Sequence, residues 1–161
     1  MKELQQYIKE SLLDMDDSNF ITTSQLLEIS LITLLKSLLQ YTKKLQSTGN
    51  SITLIFDKKY DLNKYNDIIK SVRSDLDSIG IKYIYEPGIG EQGSLKYYYN
   101  DIEFKINGFE MAMDFTYSYK KYIDLDKGPM EEPDHGLLQI SIFGIKGKDF
   151  FKKLKKELKD R

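Results

Sequence analysis

The sequence predicts an α+β fold: a mixed, mainly antiparallel sheet with a three-strand meander, covered by helices on one face, and a helical segment at the N-terminus. Three observations support this prediction. Residues 95–119 alternate between apolar and polar side chains around Asn107-Gly108, the strongest short-range hairpin signal. Two segments, 22–47 and 62–79, carry apolar residues at helical spacing. Short apolar runs typical of buried strands separate the helical segments.

The composition bounds the domain organisation and excludes several kinds of site. We assign residues 21–161 to a single α+β domain and residues 1–20 to an N-terminal amphipathic helix and linker. The chain has no Cys and one His, which excludes disulfides, thiolate metal sites and multi-histidine metal sites within one chain. Its 24 Lys and Arg residues balance 25 Asp and Glu residues, so nucleic acid is not the favoured partner.

No segment of the sequence predicts export or membrane insertion. The first thirteen residues carry charges throughout and lack the apolar centre of a secretory signal. The most apolar segment, Leu26–Tyr41, is interrupted by Glu28, Lys36 and Gln40. It is too short and too polar for a transmembrane helix.

The N-terminal segment Lys2–Met15 reads as a short amphipathic helix. Its apolar residues fall on one helical stripe, with Tyr7 and Ser11 beside it. The stripe consists of Leu4, Ile8, Leu12 and Met15. The polar run Asp14–Asn19 is expected to end this helix and to link it to the domain.

The next helix is predicted to run from Thr22 to about Ser47. Thr22 and Gln25 have the spacing of a capping box, and Gly49-Asn50 is expected to end the helix. Apolar side chains surround most of its circumference, which is typical of a helix buried on more than one side. Such a helix would be the central helix of the core or an oligomer contact.

A strand, a helix and a second strand follow. Ile52–Phe56 is an apolar strand, Asp61 caps a helix with one clean apolar face, and Gly80 ends that helix. Ile81–Tyr85 is the second strand, and this order suggests a right-handed βαβ crossover.

The meander is predicted in detail. A two-residue turn at Asn107-Gly108 places Ile106 opposite Phe109 and Lys105 opposite Glu110. Asn100-Asp101 is interpreted as an earlier turn, which would add further side chains to the apolar face of the sheet. The added residues would be Leu95, Tyr97 and Tyr99.

Two loops and two C-terminal elements complete the prediction. Glu86–Gly93 and the acidic segment Asp124–Gly136 are expected to be loops. Leu137–Ile145 is expected to be a strand, and Lys148–Lys159 a terminal amphipathic helix.

Candidate chemistry is weak throughout. Gly88–Gly93 matches G-x-G-x-x-G but precedes a predicted strand, whereas a dinucleotide site needs a helix there. His135 lies among acidic residues, but adjacent side chains rarely converge on one ion, so a solvated turn is favoured. We therefore predict no catalytic, cofactor-binding or metal-binding residues.

Aromatic and basic side chains suggest a surface for a protein partner. Protein contact surfaces are rich in Tyr, and a basic amphipathic helix can bind an acidic partner, although such a helix is more often simply solvated. The candidate partner-surface residues are Tyr98, Lys120, Lys121, Tyr122, Lys152, Lys153 and Lys156.

The first twelve residues, MKELQQYIKESL, resemble the capsid-targeting peptides of tailed-bacteriophage internal proteins. Those peptides begin Met-Lys and carry an aromatic-Ile pair, then x-Glu and a small residue, as Tyr7–Ser11 does here. The resemblance implies docking in the prohead and cleavage after Glu10 by the prohead protease. The residues implied in docking are Leu4, Tyr7, Ile8, Glu10 and Leu12. Without the resemblance, the same residues are interpreted as a docking helix that covers the sheet or a neighbouring subunit.

The leading hypothesis is a phage-encoded, non-enzymatic virion or injected protein, located in the virion or the host cytoplasm. Its partners would be a capsid, portal or host protein. The alternative is a phage neck or tail-completion ring subunit, which would be a homo-oligomer. A second alternative is a small enzyme or ligand-binding domain that uses the loops at 88–93 and 124–136.

Overall fold

The computed structural model describes residues 22–159, with 133–135 described by their backbone alone. The predicted helix over Lys2–Met15, its linker, and the implied docking residues Leu4, Tyr7, Ile8, Glu10 and Leu12 lie outside this range. The elements, in order, are α1 (Thr23–Ser37), a 3₁₀ turn (Leu38–Tyr41), β1 (Thr42–Thr48), β2 (Ser51–Phe56), α2 (Leu62–Ser78), β3 (Ile84–Gln92), β4 (Leu95–Ile106), β5 (Phe109–Asp124), β6 (Gly128–Phe143) and α3 (Gly147–Lys159).

The six strands form one sheet in the order β1-β2-β6-β5-β4-β3, which confirms the predicted α+β class. Each neighbouring pair of strands in the described residues is antiparallel. β2 and β3 run in the same direction, but three strands lie between them. The predicted βαβ crossover therefore joins the two halves of the sheet and does not create a parallel pair.

The β4–β5 hairpin has the predicted turn and register. Asn107 and Gly108 have φ values of 49° and 82°, as a type I′ turn requires. Ile106 pairs with Phe109, and Lys105 pairs with Glu110. The Lys105 Nζ lies 3.2 Å from Glu110 Oε1, so the predicted cross-strand ion pair is present.

The predicted Asn100-Asp101 turn was wrong. Residues 95–119, predicted as three strands, lie in only two, β4 and β5, and β3 and β6 extend the meander to four strands. β4 runs through Asn100 and Asp101 without a break, and the preceding turn lies at Gly93-Ser94. Asn100 is buried, and its side-chain oxygen accepts a hydrogen bond from the Tyr85 hydroxyl. A turn former is therefore held in a strand by a tertiary contact.

Because there is no turn at Asn100-Asp101, the tyrosines at the start of β4 lie on the faces of the sheet opposite to those predicted. Because side chains alternate along an unbroken strand, Tyr98 and Asn100 share the apolar face with Ile102. Tyr97 and Tyr99, predicted on the apolar face, lie on the opposite face and stack on each other with ring centroids 5.8 Å apart.

The first described helix is shorter than predicted. The capping box is present: the Thr22 hydroxyl accepts from the Gln25 amide at 3.1 Å, and the Gln25 side chain accepts from the Thr22 amide at 2.9 Å. The helix ends at Ser37, however, and residues 42–48 form β1. Gly49-Asn50 is the two-residue turn of the β1–β2 hairpin and not a helix stop.

Both predicted loops are mainly strand. Most of Glu86–Gly93 lies in β3, which begins at Ile84 and not at Ile81. The β5–β6 turn occupies only residues 125–127, where the Asp124 carboxylate accepts hydrogen bonds from the Asp126 and Lys127 amides at 2.8 and 3.0 Å. Ser118 pairs with His135 and Tyr119 with Pro133, so the backbone bulges at Asp134.

The three described helices pack on one face of the sheet and form the core with it. Asp61 caps α2 by accepting from the Lys64 amide at 2.8 Å, and α3 stacks Phe150 on Phe109 with ring centroids 4.8 Å apart. The inner strands β2, β4, β5 and β6 contribute alternate residues to this core. The largest fully buried side chains include Tyr65, Tyr117, Phe115, Phe150, Leu31, Leu34 and Ile102.

We predict that Gly108→Val lowers the melting temperature by several degrees. A β-branched residue at φ 82° is strained by about 1–3 kcal/mol, and each kcal/mol corresponds to about 2–4 °C in a domain of this size. Thermal denaturation followed by circular dichroism measures the shift.

Gly88→Val is the matched control. Gly88 lies in the edge strand β3 without a positive φ, and a Cβ there meets no atom within 4 Å. Its melting temperature should stay close to that of the wild type. Equal melting curves for the Gly108 variant and the wild type would mean that the turn does not fix the hairpin.

Candidate functional site: the uncovered face of the sheet

The second face of the sheet carries no described helix, and we call it the open face. Its residues alternate with the core residues along each strand. On the central strands β4 and β5 it presents Tyr99, Asp101, Glu103, Lys105, Glu110, Ala112, Asp114 and Thr116. Antiparallel sheets often leave one polar face in water, so this face needs no cover for stability.

Four carboxylates meet on the open face, and we call them the acidic patch. Asp114 on β5 pairs with Asp101 on β4, which pairs with Glu86 on β3. Glu103 lies on the same face, two residues along β4. Like charges directly opposite each other oppose strand pairing, so the hairpin turn and the core must hold this register against repulsion.

The acidic patch shifts the pKa of Asp114. The pKa of this carboxyl is raised to about 6, mainly by partial burial and further by the charge of Asp101, a hydrogen bond between the two side chains and the charge of Glu103. Asp114 is therefore protonated below about pH 6, with the side chain of Asp101 as its hydrogen-bond partner.

The described carboxylates of the acidic patch are not arranged as metal ligands. Within residues 22–159, apart from the side chains of 133–135, no three His, Asp or Glu residues are arranged to hold a metal ion. Glu86 and Glu103 are exposed, and the larger cavity on this face lies nearer the Asn107-Gly108 turn.

Two adjoining cavities lie at that end of the open face, and we call them together the turn groove. One has a volume of about 550 Å³ and is lined by residues 105–110 with Phe143 and Gly144. The other has a volume of about 170 Å³ and is lined by Ile84, Glu103, Phe104, Lys105, Glu110, Met111, Ala112 and Phe143. Ile84 is 63% exposed and Phe143 is 48% exposed, so the groove carries uncovered apolar surface.

The predicted partner-surface residues do not form one patch. Tyr98 is half-buried on the helix-covered face, where its ring meets Tyr119 edge-on at 5.8 Å. Lys120 and Tyr122 lie on the other face of the β5–β6 hairpin, whereas Lys121 pairs with Glu91 at 2.8 Å. Lys152, Lys153 and Lys156 lie on the outer side of α3.

The segments of the enzyme hypothesis lie at the other end of the sheet. Gly88–Gly93 ends at the β3–β4 turn, and Asp124–Gly136 holds the β5–β6 turn. The Ser94 carbonyl, between them, accepts a hydrogen bond from the Lys121 amide at 2.7 Å. The turn groove is lined by neither segment.

Sequence reasoning missed both the acidic patch and the turn groove. Glu86, Asp101 and Asp114 are separated by thirteen or more residues, and only the strand register brings them together. The signal was present in the hairpin register, which places Asp101 opposite Asp114 once β4 is read as one continuous strand.

Among residues 22–159, no helix is long and apolar enough to cross a membrane. Comparisons with protein-family models, with curated proteins and with solved structures found no match to the chain.

We predict that Asp114→Asn changes how stability depends on pH. The pKa of this carboxyl is about 6 in the folded protein and about 3.9 in an unfolded chain. Because the pKa is raised by folding, the stabilisation from the protonated form is complete below about pH 4 and is lost as pH rises through about 6. The amide keeps the uncharged state, so the variant should be more stable than the wild type above pH 7.

Urea denaturation between pH 4 and pH 8 tests this expectation. The advantage of the variant should shrink as pH falls below 6. Asp67→Asn, at an exposed position on α2, is the control and should follow the wild type throughout. Parallel profiles for Asp114→Asn and the wild type would show that folding does not raise the pKa of Asp114.

Proposed function

We propose that this protein is a phage-encoded, non-enzymatic protein of the virion, or one injected into the host, that acts through protein–protein contacts. Its partners would be a capsid or portal protein during assembly, or a host protein after injection. The site of action would then be the virion or the host cytoplasm.

The observation that carries the proposal is the N-terminal sequence. Tyr7–Ser11 has the order of a capsid-targeting peptide, and Ile8-Lys9-Glu10 has the form of the triplet that the prohead protease recognises. The described elements fit this role because α1 to α3 and the sheet bury their apolar faces against one another. A segment ahead of Thr22 can therefore serve as an address for a domain that has its own core.

The open face supports action by contact. It combines the acidic patch with exposed Ile84 and Phe143, and a polar surface with a few apolar anchors is typical of transient protein interfaces. A contact of this kind requires no catalytic group.

A second candidate is a subunit of a phage neck or tail-completion ring, and the charge distribution favours it. α3 holds six lysines against two carboxylates, and Lys148, Lys152, Lys156 and Lys159 form an exposed stripe opposite its buried residues. α3 packs on the helix-covered face, so the stripe points away from the acidic patch. Head-to-tail contacts between copies would bring the two surfaces together and can close into a ring.

Removal of Met1–Glu10 tests the leading proposal. We expect the shortened protein to keep a melting temperature close to that of the full chain, because a targeting peptide contributes little to the core. Its incorporation into phage heads, measured by immunoblotting of purified particles, should be lost.

Point variants distinguish the effect of losing the apolar stripe from the effect of shortening the chain. Leu4→Ala with Ile8→Ala should reduce packaging, whereas Gln5→Ala with Gln6→Ala, off the stripe, should not. Normal packaging of the shortened protein would refute the targeting role. A loss of several kcal/mol in the free energy of unfolding, as is typical of buried aliphatic truncations, would place the stripe in the core.

The ring candidate predicts salt-sensitive self-association with a charge-swap rescue. Lys152→Glu with Lys156→Glu, or Glu86→Lys with Glu103→Lys, should each leave the protein monomeric in sedimentation velocity at low salt. An equimolar mixture should associate again, because each altered surface meets its complement. A wild-type protein that stays monomeric at high concentration would exclude this candidate.

A further inference from the structure

We propose that the end of the β5–β6 hairpin docks into the larger cavity of the turn groove on a second copy of this chain. The two surfaces lie at opposite ends of the same sheet, so the contact joins copies head to tail. It involves neither the N-terminal segment nor the lysine stripe of α3, and it is therefore independent of both functions proposed above.

The β5–β6 hairpin projects from the sheet. β4 pairs with β5 as far as Lys120, and β2 pairs with β6 only from Leu137 onward. Residues 121–131 therefore form a two-stranded arm, which we call the β-arm, whose strands pair only with each other in the described sheet. The Lys121 amide bonds to the Ser94 carbonyl in the β3–β4 turn, and the β-arm continues for three more residues, or about 10 Å.

The end of the β-arm presents apolar side chains on a fixed turn. Leu125 is 100% exposed and Ile123 is 78% exposed. The Asp124 carboxylate accepts hydrogen bonds from two amides of the turn, and Gly128 closes the turn with a φ of 82°. A turn that is already ordered loses little conformational freedom on binding, so Leu125 is well placed to enter a partner.

The larger cavity of the turn groove can receive these side chains. Its volume is about 550 Å³, and Phe143 forms an apolar part of its wall. Ile145, which follows Gly144 at the rim, is also exposed. Docking would remove apolar surface of both copies from water, which is the main driving force for association.

The charges of the two surfaces are of opposite sign. Residues 124–132 carry four carboxylates against one lysine. At the larger cavity, Lys105 and Lys146 stand against Glu110, and the Lys146 side chain lies so close to Gly108 that a Cβ there would be 2.9 Å from its Cδ. An acidic β-arm therefore meets a weakly basic cavity.

One molecule cannot make this contact with itself. β5 runs from Phe109, which lines the larger cavity, to Asp124 at the end of the β-arm. A strand of this length spans about 50 Å, so the cavity must be filled by the β-arm of another copy.

The edges of the sheet are poorly suited to self-association. The edge strand β3 contains Pro87, and the edge strand β1 has a register shift between Thr42 and Lys44 and exposes Lys43 and Lys44. Proline, bulges and lysines on an edge all oppose the addition of a further strand. Copies are therefore expected to meet at the ends of their strands.

Sedimentation velocity of the full chain at rising protein concentration tests the proposal. Each head-to-tail oligomer keeps an unoccupied β-arm and an unoccupied cavity, so its size should increase with concentration until a ring closes. Leu125→Ser should weaken association about tenfold or more, because a buried leucine is lost from the contact. Ile89→Ser is the matched control, since Ile89 is exposed on β3 outside both surfaces, and it should associate like the wild type.

Mixing two variants tests the head-to-tail geometry. Leu125→Ser keeps an intact cavity, and Phe143→Ser keeps an intact β-arm. Each should stay monomeric at concentrations where the wild type associates, with a melting temperature near that of the wild type, because both side chains are at least half-exposed. An equimolar mixture should form dimers and nothing larger, since only one intact β-arm meets one intact cavity.

Several results would overturn the proposal. These are a wild type that stays monomeric at every concentration, a Leu125→Ser variant that associates like the wild type, and a mixture without dimers. Unchanged association of Phe143→Ser alone would show that the β-arms contact some other surface. Lys152→Glu with Lys156→Glu should still associate through the β-arm, and loss of association there would assign the contact to the ring candidate instead.

Discussion

The register between β4 and β5 is the constraint on which the rest of the structure depends. A slip of one residue would move Ile102, Met113 and Phe115 from the core to the open face, because side chains alternate along each strand. The same slip would move Asp101 away from Asp114 and so separate the carboxylates of the acidic patch. The two-residue turn at Asn107-Gly108 fixes this register locally, before any distant part of the chain has to find its place. The core pattern and the surface chemistry thus follow from one turn.

The parts of the fold that could be predicted are those whose signals are local. The Thr22 and Asp61 caps and the Asn107-Gly108 turn need only a few neighbouring residues. The errors arose where tertiary pairing overrides local preference. The segment at the start of β1 contains Lys43, Lys44 and Leu45, which favour a helix, yet it is held as a strand by its hairpin partner β2.

The candidate site could be predicted only where the strands that form it had been predicted correctly. The open face was anticipated as the charged face of the meander, and Lys105–Glu110 was placed correctly. The cluster around Asp114 depends on β3. Residues 86–93, most of which lie in β3, contain one Pro and three Gly residues and so resemble a loop. Such residues are tolerated on β3 because it is an edge strand, where one side of the backbone needs no partner. Edge position is a property of the whole sheet and cannot be read from the segment alone.

The energetics of the open face limit the kind of contact it can make. Pairs between exposed charges contribute about 0–1 kcal/mol each, and salt screens them, so the acidic patch cannot hold a partner tightly by itself. Ile84 and Phe143 add apolar area, but two partly exposed side chains fall short of the area buried in a stable interface. A surface of this kind becomes effective when a partner is held nearby, for example by repeated contacts in an assembly, since these raise the effective concentration. A contact made by the open face alone would therefore be weak and reversible.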